Sequence, residues 1–433
     1  MLCSSTALSN ALNAPSNLNA TPISSTQIRL NWRDNNGNEA GFRVARSLDG
    51  THFSLIASTR ANATSYSDSG LTAGRKSWYK IRAFDSSAVS QWTGVVLATT
   101  LSNNPIPTAT PTKKIIHWQT FSNSGSVSSV VANHTYIDTL PFDGIVVKFP
   151  DYQNCLGPNY SGTYARLYNQ LSPMRNLLSH VKHNYAVVLI GNSGMVDPFD
   201  DWTAERQRWV NLAMACRDAG LEGIFLDNEE YGVHMWQYPN HCKYAASKTV
   251  TQYREQWRLR GSRVIQDVLA QWPRAKILVT VDPWYSSSTY GSPNWLGGFF
   301  AMGMLAGASG HVINGGERYQ LRTASDYANW INFMTNTLTQ PPNSPPLIPQ
   351  ALISTWKTQI NQSFGIYDQD RVGTPAMTYS VLQQTIVNAM PYVDEFVWNY
   401  SENLDWLTPG AGSEGNWQNA VWNARSRLGL PPP

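Results

Sequence analysis

Residues 223–231 have the sequence GIFLDNEEY, in which four small or apolar residues are followed directly by four polar or acidic ones. A short, continuous apolar run is typical of a strand that is buried on both faces of a parallel sheet. Carboxylates are costly to remove from water, so a cluster of them at the end of a buried strand needs a partner, a metal or a chemical role. The stretch therefore predicts a buried strand with a functional site at its carboxyl end.

Further apolar segments of this kind occur on both sides of that stretch, between residue 114 and the C-terminus. Together they give eight predicted strands: 114–118, 143–149, 185–191, 223–229, 276–283, 310–317, 349–355 and 394–400. Helical patterns separate them, as in residues 203–220 and in residues 250–272, where Pro273 ends the pattern. Apolar strands that alternate with helices indicate a parallel sheet, and eight such units predict a TIM (β/α)8 barrel. A doubly wound sheet is the alternative, which the strand number and the lack of a glycine-rich first turn disfavour.

The active site of such a barrel lies at the carboxyl ends of its strands. In this sequence, carboxylates and aromatic residues are concentrated at those ends. The predicted catalytic carboxylates are Asp227, Glu229, Asp282, Glu317 and Glu402. The predicted substrate-binding residues are Trp118, Asn228, Glu230, Tyr231, Trp284, Tyr285, Tyr319, Trp356, Trp398 and Tyr400. Aromatic rings pack against the apolar faces of sugars, and we expect Trp398 to form the floor of a sugar site.

Two carboxyl groups on either side of a glycosidic bond are what acetal hydrolysis requires. The alternation of side chains along a strand places Asp227 and Glu229 on the same side. Asp227 would then raise the pKa of Glu229 by like-charge repulsion, which would keep Glu229 protonated as the general acid. We expect Glu317, which follows two glycines, or Glu402 to supply the second carboxylate. A second assignment makes Asp227 the nucleophile and Glu317 the acid.

The run EGIFLDNEEY (222–231) resembles the fourth-strand signature of glycoside hydrolases with a barrel catalytic domain. It is similar to the D-G-x-D-x-D-x-E-Y motif of chitinase-type enzymes, with Asp227 and Glu229 at the last Asp and the acid Glu. Glu222 and Phe225 replace the two earlier Asp residues. Asn228-Glu229 also resembles the Asn-Glu pair of the retaining clan that includes cellulases and β-galactosidases, although residues 349–355 lack that clan's second Glu. GIFLD is similar to polygalactosaminidase-like barrels. These resemblances imply a glycoside hydrolase without choosing among the families.

Residues 14–100 have a different pattern, with short alternating strands separated by turn residues. The predicted strands are TQIRLNW, GFRVARS, FSLIAST, SWYKIRAF and GVVLATT, which is the pattern of an all-β sandwich. With Trp32, Leu71, Tyr79 and Arg82 in place, this stretch resembles a fibronectin type III domain, which implies a spacer or attachment module without catalysis. Residues 101–113, rich in Pro, Thr and Asn, are predicted to be a semi-rigid linker to a barrel at 114–433.

The composition bounds the partners of the chain. The net charge is +3, from 32 basic and 29 acidic residues, and no basic tract suggests a nucleic-acid partner. No apolar run approaches the ~18–20 residues of a membrane span. With 17 Trp and 20 Tyr but only 14% charged residues, the sequence favours uncharged polar ligands such as carbohydrates. We expect a secreted or cell-surface protein, from which a signal peptide is absent or removed, and a monomer by default.

Other kinds of chemistry find little support in the sequence. His117, His234 and His241 match no metal-ligand spacing, so we expect neither a metal nor a cofactor. No G-x-S-x-G precedes a helix in the context of a nucleophilic serine. Cys155 and Cys242 follow predicted strands, and whether they pair is left open. The alternative functions are a non-catalytic carbohydrate-binding barrel and adhesion through the sandwich.

Overall fold

The computed structural model describes residues 12–24, 26–72, 74–100, 113–120, 123–191, 193–280, 295–308, 310–337, 353–369 and 376–433. The chain divides into two compact units, residues 1–104 and residues 105–433.

The first unit is an immunoglobulin-like β-sandwich. Its strands are β1 (Ser16–Ser24), β2 (Gln27–Arg33), β3 (Gly41–Ser47), β4 (Phe53–Ser58), β5 (Ser65–Ser69), β6 (Lys76–Phe84) and β7 (Val96–Thr99). One sheet has the order β1-β2-β5 and the other β4-β3-β6-β7, all pairs being antiparallel. Alternate residues of β6, among them Tyr79 and Ile81, face the core, where Trp32 packs edge-on against Phe42. The predicted sandwich is confirmed, although the Ser- and Asn-rich sequences of β1 and β5 conceal those two strands.

The second unit contains a closed barrel of eight parallel strands. They are β8 (Lys114–Gln119), β9 (Gly144–Val147), β10 (Tyr185–Leu189), β11 (Gly223–Asp227), β12 (Lys276–Val279), β13 (Val312–Asn314), β14 (Asn361–Tyr367) and β15 (Phe396–Ser401). Each strand pairs with the next in the chain, and β15 closes the barrel on β8 with Val397 opposite Ile115. The predicted TIM barrel is confirmed.

Helices alternate with these strands. They are α1 (Val127–Ala132), α2 (His134–Ile137), α3 (Tyr164–Leu171), α4 (Thr203–Asp218), α5 (Val250–Gln271), α6 (Gly297–Gly307), α7 (Ala324–Asn332), α8 (Ile353–Gln359), α9 (Tyr379–Ala389) and α10 (Asn416–Leu428). The two helices predicted at residues 203–220 and 250–272 are confirmed as α4 and α5. Helix α5 begins with a capping box in which Thr249 and Gln252 satisfy each other's backbone N–H groups.

The sequence predicts the seventh barrel strand at residues 349–355, and this prediction is wrong. Ile353–Gln359 forms helix α8, and the seventh strand is β14 at Asn361–Tyr367. Periodicity cannot separate a short buried helix from a buried strand, and the Asn, Gln, Ser and Gly of NQSFGIY make β14 inconspicuous.

The inside of the barrel is filled by apolar and aromatic side chains, and its amino-terminal end is closed by an ion network. Lys276 Nζ lies 2.5 Å from Glu222 Oε1 and also bonds Glu395, which Lys114 approaches to 2.9 Å. These charges are largely removed from water, so each depends on its partners. The carboxyl ends of the strands form the opposite end, here called the mouth.

Three cysteines of the described chain, Cys155, Cys216 and Cys242, are free thiols. Over the same described residues, no helix combines the length and the apolar character that crossing a membrane requires.

Candidate active site

Strand β11 brings Asp227 to the inner face of the mouth. Phe225, two residues earlier, belongs to the inner barrel core, so alternation turns Asp227 inward as well. Asp227 is only 2% exposed, and its Oδ1 accepts the Glu229 N–H at 3.1 Å. The Tyr231 hydroxyl lies 2.9 Å from Asp227 Oδ2 and 2.5 Å from Glu229 Oε2. One phenolic proton cannot satisfy two carboxylates at once, so this arrangement favours an additional proton on the cluster.

A glycine at the end of β10 allows the chain after β11 to approach closely. A Cβ atom at Gly191 would lie 1.8 Å from the carbonyl oxygen of Glu229. The Gly191 carbonyl also accepts the N–H groups of Gly232 and Val233, at 2.8 and 2.9 Å. The backbone that carries Glu229 is therefore held against β10.

Glu317 reaches the same place from β13. Gly315 donates its N–H to Val279 O at 2.7 Å, and Gly316 has a φ of +58°, a conformation that favours glycine. After this turn, the carboxyl of Glu317 hydrogen-bonds Glu229 and interacts with the phenol of Tyr319. Asp227, Glu229 and Glu317 thus form one group, here called the carboxyl cluster, as the sequence predicts for Glu229 and Glu317.

Burial and mutual repulsion keep protons on this cluster. Burial, and then the charge of Glu229, raise the pKa of Asp227 to about 7. The same two causes, in the same order, raise the pKa of Glu317 well above its usual range, although Tyr319 opposes the shift. The raised pKa values are thus those of Asp227 and Glu317. The sequence predicts other roles for these two residues: Asp227 as the residue that raises the pKa of Glu229, and Glu317 as the second carboxylate. Burial and neighbouring charge therefore favour the protonated forms of Asp227 and Glu317.

Three tyrosines form an aromatic wall beside the cluster. The ring centroids of Tyr319, Tyr367 and Tyr400 lie 5.3–5.4 Å from one another, in stacked or tilted pairs. Glu402, which is exposed at the rim, accepts the Tyr367 hydroxyl at 2.5 Å and the Tyr400 hydroxyl at 2.7 Å. Glu402 is therefore anchored on the aromatic wall. Sequence reasoning missed Tyr367, because β14 lies outside the predicted seventh strand.

Trp398 lies beneath this wall. Its side chain has no exposed surface, and its indole N–H donates to Gly315 O at 2.6 Å. The prediction that Trp398 forms the floor of a sugar site is wrong for this structure, because the ring is covered by other side chains. It supports the Gly315–Gly316 turn that aims Glu317 into the mouth. Trp118 is also mostly covered, at 5% exposed, with its ring 4.8 Å from that of Tyr400.

Two further predictions of substrate contact are wrong for physical reasons. Glu230 alternates to the outer side of β11, where its carboxylate accepts the Trp236 N–H and the Gln237 side chain, each at 2.8 Å. Its side chain is 1% exposed, so Glu230 anchors the following loop. Trp356 lies in α8, away from the mouth, and its indole N–H donates to Met334 O at 3.0 Å.

Of the remaining predicted site residues, the structure describes two. Tyr231 is 52% exposed at the mouth, whereas Asn228 is 2% exposed, with its Oδ1 3.5 Å from the Thr280 hydroxyl. Asp282, Trp284 and Tyr285 lie outside the described residues.

His117 takes a structural position. His117 is fully buried, with its ring nitrogens 3.2 Å from Gln119 Oε1 and 3.1 Å from Asn399 Nδ2. Burial lowers the pKa of His117 to about 3, so the ring is neutral. Within the described ranges, no group of three or more His, Cys, Asp or Glu side chains is arranged to hold a metal ion.

No protein-family model matches the chain, and no curated protein matches it. Solved structures with a similar part include the FN1–FN3 domains of chicken CNTN1 (13% identity, TM-score 0.19, covering 21% of this chain and 32% of that chain). FN3tt has 21% identity and a TM-score of 0.19 over 20% of this chain and 92% of that chain. A structure described as a myokine has 16% identity and a TM-score of 0.19 over 21% of this chain and 98% of that chain. The chain spans about a third of the length of the chicken CNTN1 segment.

Proposed function

We propose that the barrel is a glycoside hydrolase that cleaves O-glycosidic bonds of a polysaccharide or oligosaccharide in its mouth. The observation that carries this proposal is the hydrogen bond between Glu317, whose pKa is strongly raised, and Glu229. A carboxylic acid that stays protonated beside a second carboxylate is the pair that acetal hydrolysis uses. The tyrosine wall, which offers ring faces and hydroxyls, suits a sugar ring.

In the proposed mechanism, Glu317 is the general acid. When the substrate binds, the glycosidic oxygen replaces Glu229 as the acceptor of the Glu317 proton, and the proton moves to that oxygen as its bond to the anomeric carbon breaks. Glu229 is more exposed than Asp227, and its carboxylate stabilises or attacks the positively charged anomeric carbon. A water molecule then attacks that carbon and gives a proton to the Glu317 carboxylate, which releases the sugar and restores the acid. Asp227 positions Glu229 through the backbone N–H of Glu229 and the shared Tyr231 hydroxyl.

In the first assignment from sequence, Glu229 is the acid and Glu317 the second carboxylate, and the proposed mechanism exchanges these two roles. As in the second assignment from sequence, Glu317 is the acid, because burial and neighbouring charge favour its protonated form. Secretion, and a purely attaching role for the sandwich, belong to the same proposal. Secretion rests on the neutral, aromatic-rich composition, and the attaching role rests on the resemblance of residues 14–100 to a fibronectin type III domain.

The first experiment compares reducing-sugar release by the wild type and by Glu317→Gln against neutral, amino and algal polysaccharides. The matched control is Glu255→Gln, an exposed position on α5 that we expect to behave as the wild type. Release by the wild type and by the control, with at least a 100-fold loss in Glu317→Gln, is the expected result. Undiminished release by Glu317→Gln would refute the assignment of the acid. Binding of a glycan without any release by the wild type would favour a carbohydrate-binding barrel.

Chemical rescue distinguishes Glu229 from Asp227. Azide can replace a missing carboxylate nucleophile, so an activated aryl glycoside should yield a glycosyl azide with Glu229→Ala. Rescue of Asp227→Ala alone would transfer the role to Asp227.

A further inference from the structure

A cavity of about 780 Å3 lies beside the mouth, between the loops that follow β8 and β9. Its volume falls within the range of roughly 300–1,000 Å3 that is usual for small-molecule sites. It is bordered by the start of α1, the end of β9 and the surface of α3. Among its lining residues are Asn123, Val127, Ser128, Lys148, Tyr152 and Asn169.

The lining of the cavity is joined to the aromatic wall of the mouth by a series of residue contacts. Tyr152 lines the cavity and also packs against the inner barrel core. Lys148 Nζ donates to Thr120 O at 3.1 Å, and the Thr120 hydroxyl lies 3.3 Å from that of Tyr400. Tyr400 stacks on Tyr319, which interacts with the proposed acid. The lining of the cavity and the carboxyl cluster are thus connected through the contacts of Tyr400 and Tyr319.

The walls of the cavity are held in place before any ligand arrives. The Asp151 carboxylate accepts hydrogen bonds from Nε and Nη2 of Arg166, at 2.6 and 2.9 Å. The backbone N–H of Asp151 donates to Gln170 Oε1 at 3.1 Å. Gln170 Nε2 returns a hydrogen bond to Asp151 at 2.6 Å. On the opposite side, Val127 N–H donates to Lys148 O at 2.9 Å, which joins the start of α1 to β9. Because these walls are already fixed, the protein loses less conformational entropy when a ligand binds.

The chemistry of the lining indicates an uncharged ligand. Amides and hydroxyls such as Asn123, Ser128 and Asn169 alternate with apolar surface, and among the described residues that line the cavity none is acidic. Lys148, a cationic residue of this described lining, already donates to Thr120 O, and burial lowers its pKa while the charge of Asp405 opposes this. Alternating hydroxyl and C–H surfaces are a property of neutral pyranose chains.

We propose that this cavity binds the continuing chain of a neutral oligosaccharide, on one side of the bond that the carboxyl cluster cleaves. The inference rests on the proposed hydrolase function and adds the substrate class, which is an uncharged glycan of several sugar units. Asn169, on the exposed surface of α3, is a specificity residue at its outer wall.

The test is isothermal titration of the full-length Glu317→Gln variant, which should bind without turnover. The probes are cello-, xylo-, malto- and N-acetylchito-hexaose, the corresponding monosaccharides, and a hexamer of galacturonic acid. We expect at least one neutral hexaose to bind tenfold or more tightly than its monosaccharide. Asn169→Trp, which adds bulk at the outer wall of the cavity, should weaken that binding at least tenfold, whereas the control Asn419→Trp, at an exposed position of α10, should leave it unchanged.

Binding of none of the neutral hexaoses, or binding of the galacturonate hexamer alone, would overturn the proposal. Affinity that is unaffected by Asn169→Trp would overturn it as well. These failures are distinguishable from a failure of the hydrolase assignment. If the wild type releases sugar and Asn169→Trp has no effect on binding, the cavity proposal fails while the hydrolase proposal stands. If hexaoses bind in the cavity but the wild type never cleaves them, the hydrolase proposal fails while oligosaccharide binding in the cavity stands.

Discussion

Replacement of Asp227 by Asn should stabilise the barrel, and the gain should grow with pH. The pKa of Asp227 is raised from 3.8 to about 7, chiefly by burial. A raised pKa of this kind means that the folded protein holds a proton which the unfolded chain releases above pH 4. As the pH rises towards 7, release of this proton favours the unfolded chain, so the free energy of unfolding decreases progressively. Above pH 7 the effect is constant.

The magnitude follows from the size of the shift. Each pKa unit corresponds to about 1.4 kcal/mol, so the full shift amounts to about 4 kcal/mol at pH 8. At pH 5, only the part of the shift between 3.8 and 5 has been expressed, which is about 1.6 kcal/mol. An Asn side chain keeps the Oδ1 that accepts the Glu229 N–H and carries no charge. The advantage of Asp227→Asn over the wild type should therefore increase by about 3 kcal/mol between pH 5 and pH 8.

Urea unfolding followed by tryptophan fluorescence measures this difference. All tryptophans except Trp32, Trp78 and Trp92 follow residue 113, so the signal reports mainly on the barrel. Asp151→Asn is the matched control, because Arg166 holds the pKa of Asp151 at about 2, well below both measuring conditions. It should lose the same stability at pH 5 and pH 8. An advantage of Asp227→Asn that does not change between the two pH values would refute the reasoning.

Three further predictions concern catalysis and stability. Glu317→Gln should lower kcat/KM at least 100-fold, and by less on aryl glycosides whose leaving groups need no proton, which steady-state kinetics on both substrates would test. Lys276→Met leaves the buried carboxylates of Glu222 and Glu395 without their shared cation, so it should lower the free energy of unfolding by about 3–5 kcal/mol. Urea titrations measure this loss, and an unchanged midpoint would contradict the role given to the ion network. Gly191→Ala places a Cβ atom 1.8 Å from the carbonyl oxygen of Glu229, so it should cost about 1–3 kcal/mol and reduce activity more than a conservative surface change does.

Much of the fold is predictable from the sequence because the physics is local. Strands such as β10 and β11 are buried on both faces, so they are apolar throughout and end abruptly in polar residues. Helix α5 begins at the Thr249–Gln252 capping box and is followed by Pro273, so both of its ends are marked in the sequence. By contrast, β14 carries Asn361, Gln362 and Ser363, and its Gly365 makes room for the Trp398 ring. Its neighbours in the barrel, rather than its own composition, make it a strand.

The residues of the candidate site are partly predictable in the same way. The positions of Asp227, Glu229 and Glu317 follow from their places at strand ends, because parallel strands of a barrel end at one face. The direction in which a side chain points is harder to predict from the sequence than its position at a strand end. Glu230 and Trp398 have the residue types expected of a sugar site, yet one faces the outer side of β11 and the other is covered by the aromatic wall.

Local sequence patterns are enough to predict the two-part architecture, the alternation of strands and helices, and the concentration of carboxyl and aromatic residues at one end of the barrel. The raised pKa values of Glu317 and Asp227 require the tertiary structure, since they come from burial and from the charge of Glu229. Glu229 and Glu317 belong to strands β11 and β13, and only closure of the barrel brings them together. Burial and neighbouring charge are set by segments that are distant in the chain, so no local pattern encodes them.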